Sequence, residues 1–245
     1  MRGGGASKKR LLKQEKQKDL QTGFTLSEVL ITLGIIGIVA AMTLPALIAK
    51  HQKKVLVTKL KKNYTVLSQA FIQSQLVNGP FDIWPSGKDI TDVEAHFNLY
   101  YKPYFNGIQI CKTAEDCSYK KDQPWKNLTG STVTWSLKSS DTRVFFILND
   151  GTAVFIPRKT TNAQGAPSYV NFIYVDINGY LSPNVIGRDV FIFVMDNKNT
   201  LRPYCYSETQ SDINSKCTKN TGGITNCCTA KIMADGWEIK DDYPW

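Results

Sequence analysis

Apolar residues fall along this chain in three regimes. From Val29 to Ala49 no position is charged and most are apolar, a run of 21 residues. At roughly 1.5 Å per residue it reaches about 31 Å, close to the ~30 Å hydrocarbon thickness of a bilayer. Past Lys50 the pattern turns periodic. Leu60, Tyr64, Leu67 and Phe71 recur at spacings of four, three and four, while Lys59, Lys61, Lys62 and Gln69 occupy other faces. This predicts an amphipathic helix whose apolar stripe packs on a domain. Asn78-Gly79-Pro80 supplies the breakers that end it. A helix from Phe24 to about Val77 would be roughly 80 Å long. Its first half has no partner in its own subunit, so it requires lipid or other copies of itself.

The third regime reads as short strands. Ser131–Leu137 is rich in Thr, Val and Trp, and Arg143–Leu148 and Thr152–Pro157 flank Asn149-Asp150-Gly151, a hairpin signal. Tyr169–Asp176 and Asp189–Met195 are predicted as further strands with Asn178-Gly179 in a turn between them, and Ile90–Tyr100 as a short helix. No internal repeat is present. The stretch beyond residue 79 is long enough to bury its own core.

Charge sharpens the membrane reading. Within residues 1–23, Arg2, Lys8, Lys9, Arg10, Lys13, Lys16 and Lys18 outweigh Glu15 and Asp19, a net +5. Short flanks rich in Lys and Arg stay cytoplasmic, which sends the rest of the chain outward. Lys50, Lys53, Lys54, Lys59, Lys61 and Lys62 follow the run, and alone they would argue the reverse orientation. We read them as a solvated helix face. Residues 63–245 carry 17 basic and 18 acidic side chains, so the overall +9 is local to the helix and its leader. It gives no ground for a nucleic-acid partner.

The junction between leader and run carries the chemistry. Glu28 is a carboxylate at the mouth of the apolar helix, costly there unless paired. The residues Gly23-Phe24-Thr25-Leu26-Ser27-Glu28-Val29-Leu30-Ile31-Thr32-Leu33 resemble the class III signal of type IV pilins and type II secretion pseudopilins. That resemblance implies cleavage by a prepilin peptidase between Gly23 and Phe24, followed by N-methylation of Phe24. It also implies an assembly role for Glu28, at the fifth position of the mature chain, and a helix-bending role for Pro45. Cleavage would create an amine on Phe24 to which Glu28 of a neighbouring subunit could pair, setting axial register. Pro45 lacks an N–H and clashes with the preceding turn, so a kink or local melting is expected there. Gly34 and Gly37 form no G-x-x-x-G pair.

Six cysteines, Cys111, Cys117, Cys205, Cys217, Cys227 and Cys228, all follow the apolar run, an even number that suits an oxidising compartment and stapled loops. Cys111–Cys117 would close a small loop. Cys205 and Cys217 would pair with Cys227 and Cys228 in one order or the other. No C-x-x-C pair or nearby His favours zinc. Asp176-Ile177-Asn178-Gly179, with Pro183-Asn184 and Asp189 beyond, has oxygen ligands of the type calcium takes. A full calcium loop has more acids at alternate positions, so Asp176 and Asn178 are weak calcium candidates and a plain turn is expected. Neither a metal nor another cofactor is called. Only His51 and His96 are present and no catalytic motif occurs, so no enzyme is expected. The three large aromatics Trp237, Tyr243 and Trp245 are expected to dock on the sheet as a last strand or cap.

The expected fold is therefore α+β and pilin-like: a long N-terminal helix with a membrane-spanning first half, packed on an antiparallel β-sheet domain. The expected organisation is a removable basic leader over 1–23, a filament-core helix over 24–49, its amphipathic continuation over 50–78, and an extracytoplasmic domain over 79–245. The resemblance implies a structural subunit of a type IV pilus or secretion pseudopilus, first held in the bacterial inner membrane by a single pass. Its partners would be other pilin subunits, the prepilin peptidase and methyltransferase, and an inner-membrane assembly platform with its ATPase. The competing expectation is a membrane-anchored extracytoplasmic binding protein that never polymerises.

Overall fold

A computed structural model of the chain describes residues 23, 25–86, 92–122, 125–134, 136–140, 142–157, 159 and 172–245. The chain divides into two compact units, Met1–Ile48 and Ala49–Trp245. One helix, α1, runs from Leu26 to Asn78, 53 residues. It ends where expected, with Gly79 in the left-handed region at φ 80°, a conformation for which glycine carries no steric cost. α2 follows over Val93–Tyr100, capped by the Asp92 side chain, which accepts from the Glu94 and Ala95 amides.

Among the described residues six strands form one sheet: β1 (Ile108–Ile110), β2 (Arg143–Leu148), β3 (Ala153–Pro157), β4 (Ile173–Asp176), β5 (Val190–Met195) and β6 (Leu201–Pro203). Each pairs antiparallel with the next, in the order β1-β2-β3-β4-β5-β6. The β2–β3 hairpin turns on Asn149-Asp150-Gly151 as expected, with Ile147 opposite Ala153. Of the predicted strand Tyr169–Asp176, only the part from Phe172 on lies within the described residues.

The strands are buried on both faces. On one face Val144, Phe146, Val154, Ile156, Val175, Phe191 and Phe193 meet Val57, Leu60, Leu67 and Phe71 of α1. On the other, Phe145, Phe155, Tyr174 and Ile192 meet Tyr119, Trp125, Val133 and Leu137. This two-sided cover explains the near-continuous apolar runs Arg143–Leu148 and Val190–Met195, where a half-solvated sheet would alternate.

Ser131–Leu137 is not the strand its composition predicts. Its described backbone turns to the preceding segment, with Val133 N–H donating to Trp125 O at 2.8 Å and Leu137 N–H to Asp122 O at 2.9 Å. Val133 and Leu137 cover the second sheet face rather than join a ladder. The chain end is a cap and not a strand. α3 (Gln210–Ser215) and α4 (Cys228–Ala234) precede it. Beyond them Tyr243 is buried, and Trp237 and Trp245 are half-buried against the α1 side of the core. The cysteines pair as Cys111–Cys117, Cys205–Cys227 and Cys217–Cys228. Adjacent Cys227 and Cys228 thus pin the start of α4 to two separate points of the chain.

Candidate functional site

The candidate site begins at Gly23 and continues into the first turn of α1; Phe24 lies outside the described residues. From sequence alone Glu28 has no partner in its own chain, and here the structure differs. Thr25 precedes the helix, and its amide and hydroxyl both donate to Glu28 Oε2, each at 2.8 Å. The Glu28 amide in turn donates to Thr25 Oγ1 at 3.2 Å. Val29 N–H reaches Thr25 O at 3.1 Å, closing the first turn. This is a reciprocal capping box, in which Thr at the N-cap and Glu three residues on satisfy each other's free backbone donors. The carboxylate also faces the positive end of the helix dipole. Thr25 was missed from sequence, although the T-x-x-E spacing that marks a capping box was readable there. Among the described residues, no donor reaches Glu28 Oε1.

Every described residue from Thr25 to Ile48 is exposed. Leu30, Ile31, Leu33, Ile35, Ile36, Ile38, Val39, Leu44 and Leu47 all present more than half of their surface. This is the one helix among the described residues long and apolar enough to cross a membrane. Its polar side chains are satisfied locally: Thr32 Oγ1 donates to Val29 O at 3.0 Å and Thr43 Oγ1 to Val39 O at 2.9 Å. A hydroxyl held this way carries no unmet bond into an apolar medium. Pro45 sits inside α1, which continues through it unbroken, so the local melting expected there does not occur. What Pro45 removes is the donor for the carbonyl four residues earlier. A methyl group at Gly34 or Gly37 would meet nothing within 4 Å, so neither glycine is needed for a contact within the chain.

Among the described residues, His96 and Lys159 make contacts within the fold. His96 stacks near Tyr100, ring centroids 4.5 Å apart. Burial, and then the Lys159 charge, lower its pKa to about 4. Lys159 itself is buried, and its Nζ donates to the carbonyls of Phe81, Asp82 and Trp84 at 2.6, 2.8 and 2.8 Å. It ties down the turn that follows α1, a role no sequence pattern signals. Asp176 and Asp189 are both buried at the ends of the β4–β5 connection, while Asn178 is half-buried within it.

Two family models match the chain. One, described as the prokaryotic N-terminal methylation motif, covers residues 18–44; this is the class III signal of type IV pilins and pseudopilins. The other, described as a family of unknown function (DUF6613), covers residues 46–245, about four fifths of the chain. No curated protein and no solved structure matches. A methylation motif on a membrane-capable helix, followed by an antiparallel sheet, is a pilin-like layout.

Proposed function

The chain belongs to the DUF6613 family, a family of unknown function, and from that premise we propose that it is an assembly subunit of a type IV pilus or a secretion pseudopilus. In this reading a prepilin peptidase cuts between Gly23 and Phe24, Phe24 is N-methylated, and the mature chain enters a filament through its N-terminal helix. Other pilin subunits, the inner-membrane platform and its ATPase are the partners. The inner membrane is the staging compartment, and the domain stands on its outer side.

The observation that carries the proposal is the exposed apolar stretch Leu26–Ile48 behind a methylation motif. Lipid alone would accept such a stretch. Processing to a methylated N-terminus has a purpose only if the new end meets something. The Phe24 amine is the cation that cleavage would create, and Glu28 Oε1 is the acceptor left open by the capping box. Pairing the two between neighbouring subunits would remove the cost of a charge in an apolar filament core. Gly34 and Gly37 would allow the close helix approach that small residues permit in lipid and in bundles.

One observation favours the competing reading of a non-polymerising anchor: Thr25 already gives Glu28 a structural task. Two substitutions separate these roles. A capping box accepts Gln as well as Glu, so Glu28→Gln keeps the cap and removes the charge, whereas Glu28→Ala removes both. The proposal expects both variants to reach the membrane and neither to enter filaments, read by shearing and immunoblotting. Normal incorporation of Glu28→Gln would leave the carboxylate with capping alone and reject the charge-pairing step.

A further inference from the structure

The turns of α1 that follow the apolar run line a cleft in the Ala49–Trp245 unit. His51, Val55 and Lys59 come from the helix, Arg188 from the β4–β5 connection, and Trp245 from the last residues of the chain. The cleft has a volume of about 530 Å³, within the range of sites that hold a small molecule. The Arg188 guanidinium lies over the Trp245 ring, 5.8 Å from its centroid. On the same β4–β5 connection two consecutive apolar side chains stand in the open, Tyr180 at 53 % and Leu181 at 54 % exposure.

The charge of these segments has one sign. From Val29 to Asn78 α1 carries six lysines and no acid. Lys62 is paired with Asp150 at 2.7 Å, and Lys61 lies over the Trp237 ring. Among the described residues, Lys50, Lys53, Lys54, Lys59 and Arg188 form no ion pair. The acid that lines the cleft, Asp189, is buried. Its two oxygens already accept from the amides of Asn184 and Val185, at 2.7 and 2.6 Å. From the sequence the lysines are a solvated helix face; the fold adds Arg188 and an aromatic ring to them.

Position along α1 selects the anion. The headgroup layer adds roughly 5–8 Å on each side of the hydrocarbon, which on a helix is about the first three to five residues past the apolar run. Lys50, His51, Lys53 and Lys54 fall in that interval. Unpaired cations beside an exposed aromatic and an aliphatic side chain are what interfacial surfaces present to lipid. We propose that this cleft and the lysines beside it bind the headgroups of anionic phospholipids in the leaflet from which α1 emerges. Arg188 and Lys59 hold a headgroup phosphate, for which a guanidinium is well shaped. Lys50, Lys53 and Lys54 meet the charge of the surrounding leaflet, and Tyr180 and Leu181 give apolar contact at the boundary with the acyl chains. A free phosphate ion would satisfy Arg188 and Lys59 but leave the other five residues without a role. Bound lipid would tie the Ala49–Trp245 unit to the leaflet while the chain is membrane-held. The inference rests on the membrane reading of α1, not on polymerisation.

The test uses the full chain in mild detergent, titrated with phosphatidylglycerol or phosphatidylcholine, with bound lipid counted by native mass spectrometry. The expected result is retention of phosphatidylglycerol at least about tenfold tighter than that of phosphatidylcholine. Lys59→Gln with Arg188→Gln should bring the two lipids within about twofold of each other. Lys50→Gln with Lys54→Gln, both exposed and outside the cleft, should lower the preference about fivefold or more and keep the thermal midpoint of the parent. Lys61→Gln should leave the preference in place, and excess inorganic phosphate should leave the lipid bound. Equal retention of the two lipids by the parent would overturn the inference, as would a parent-like preference in either double variant. Displacement by phosphate would overturn it too, assigning the cleft to a free anion. Flotation of the chain with vesicles of phosphatidylcholine alone tests the membrane reading of α1 separately. A chain that floats but shows no lipid preference defeats this inference and spares that reading; a chain that does not float removes both.

Discussion

The two halves of α1 solve opposite problems with the same secondary structure. From Leu26 to Ile48 the described side chains are all exposed, apolar residues face every direction, and the threonines bond back to their own helix. From Val57 to Ser74 the buried residues Val57, Leu60, Asn63, Leu67, Phe71 and Ser74 form one stripe at intervals of three and four, with Ala70 beside Phe71 on it. Here the buried polar side chains reach the domain, Asn63 Nδ2 donating to Thr152 Oγ1 at 3.1 Å and Ser74 Oγ to the Tyr100 carbonyl, while the exposed Thr58 and Thr65 still bond back to their own helix. A helix finished by its own domain spends polar groups on cross-contacts that fix its register. A helix finished by something outside the chain satisfies its polar groups internally and leaves an uninterrupted apolar surface. The first half is therefore left uncovered within the chain, while the second is part of a core.

This contrast breaks most readily at the core end. Phe71→Ala should lower the stability of the Ala49–Trp245 unit by about 3–5 kcal/mol, whereas Ile36→Ala should change it by less than about 0.5 kcal/mol. Thermal unfolding of the full chain in detergent measures both; equal effects would erase the distinction between the halves. A smaller loss is expected from opening the disulfides around α4. Their sequence separations are 22 and 11 residues, and replacing either pair by Ser should cost about 2–4 kcal/mol. That loss should fall on the globular unit and leave membrane association intact. Lys159→Met removes the donor shared by three carbonyls after α1 and should cost about 1–3 kcal/mol, with the same readout.

The smallest effect is a pH slope. His96 has a folded pKa near 4, below its usual 6.5, so between those values the unfolded chain binds more protons. Its contribution is fully present above about pH 6.5, is lost progressively as pH falls, and levels off near pH 4. Asp176 and Asp189, whose pKa values are raised, push the other way in acid. The check is therefore the difference between parent and His96→Gln across that window, where the variant should lack the His96 slope.

The legible part of this protein was the part written in local pattern. The apolar run, the α1 stripe at Leu60, Leu67 and Phe71, the Asn149-Asp150-Gly151 hairpin and the strands around β2, β3 and β5 follow from periodicity and turn chemistry. β1 and β6 have three residues each, too few to carry a period. Ser131–Leu137 has strand composition because it covers a sheet, and composition does not distinguish covering from pairing. Lys159 contacts carbonyls 75 to 78 residues away, which no window of sequence contains. At the N-terminus the residues were legible and one interaction was not. Glu28 stands out in sequence as a charge, whereas its bonds to Thr25 are signalled only by the T-x-x-E spacing. In the β4–β5 loop the residue types are visible in sequence, but the burial of Asp176 and Asp189 arises only in the folded chain.

The central claim is that the exposed half of α1 is made to be processed and then covered by neighbouring subunits. Intact mass and N-terminal sequencing of the protein extracted from native membranes test it most directly. The account predicts a chain that has lost residues 1–23 and begins with N-methylated Phe24. A chain that retains residues 1–23 ahead of an unmodified Phe24 would contradict it.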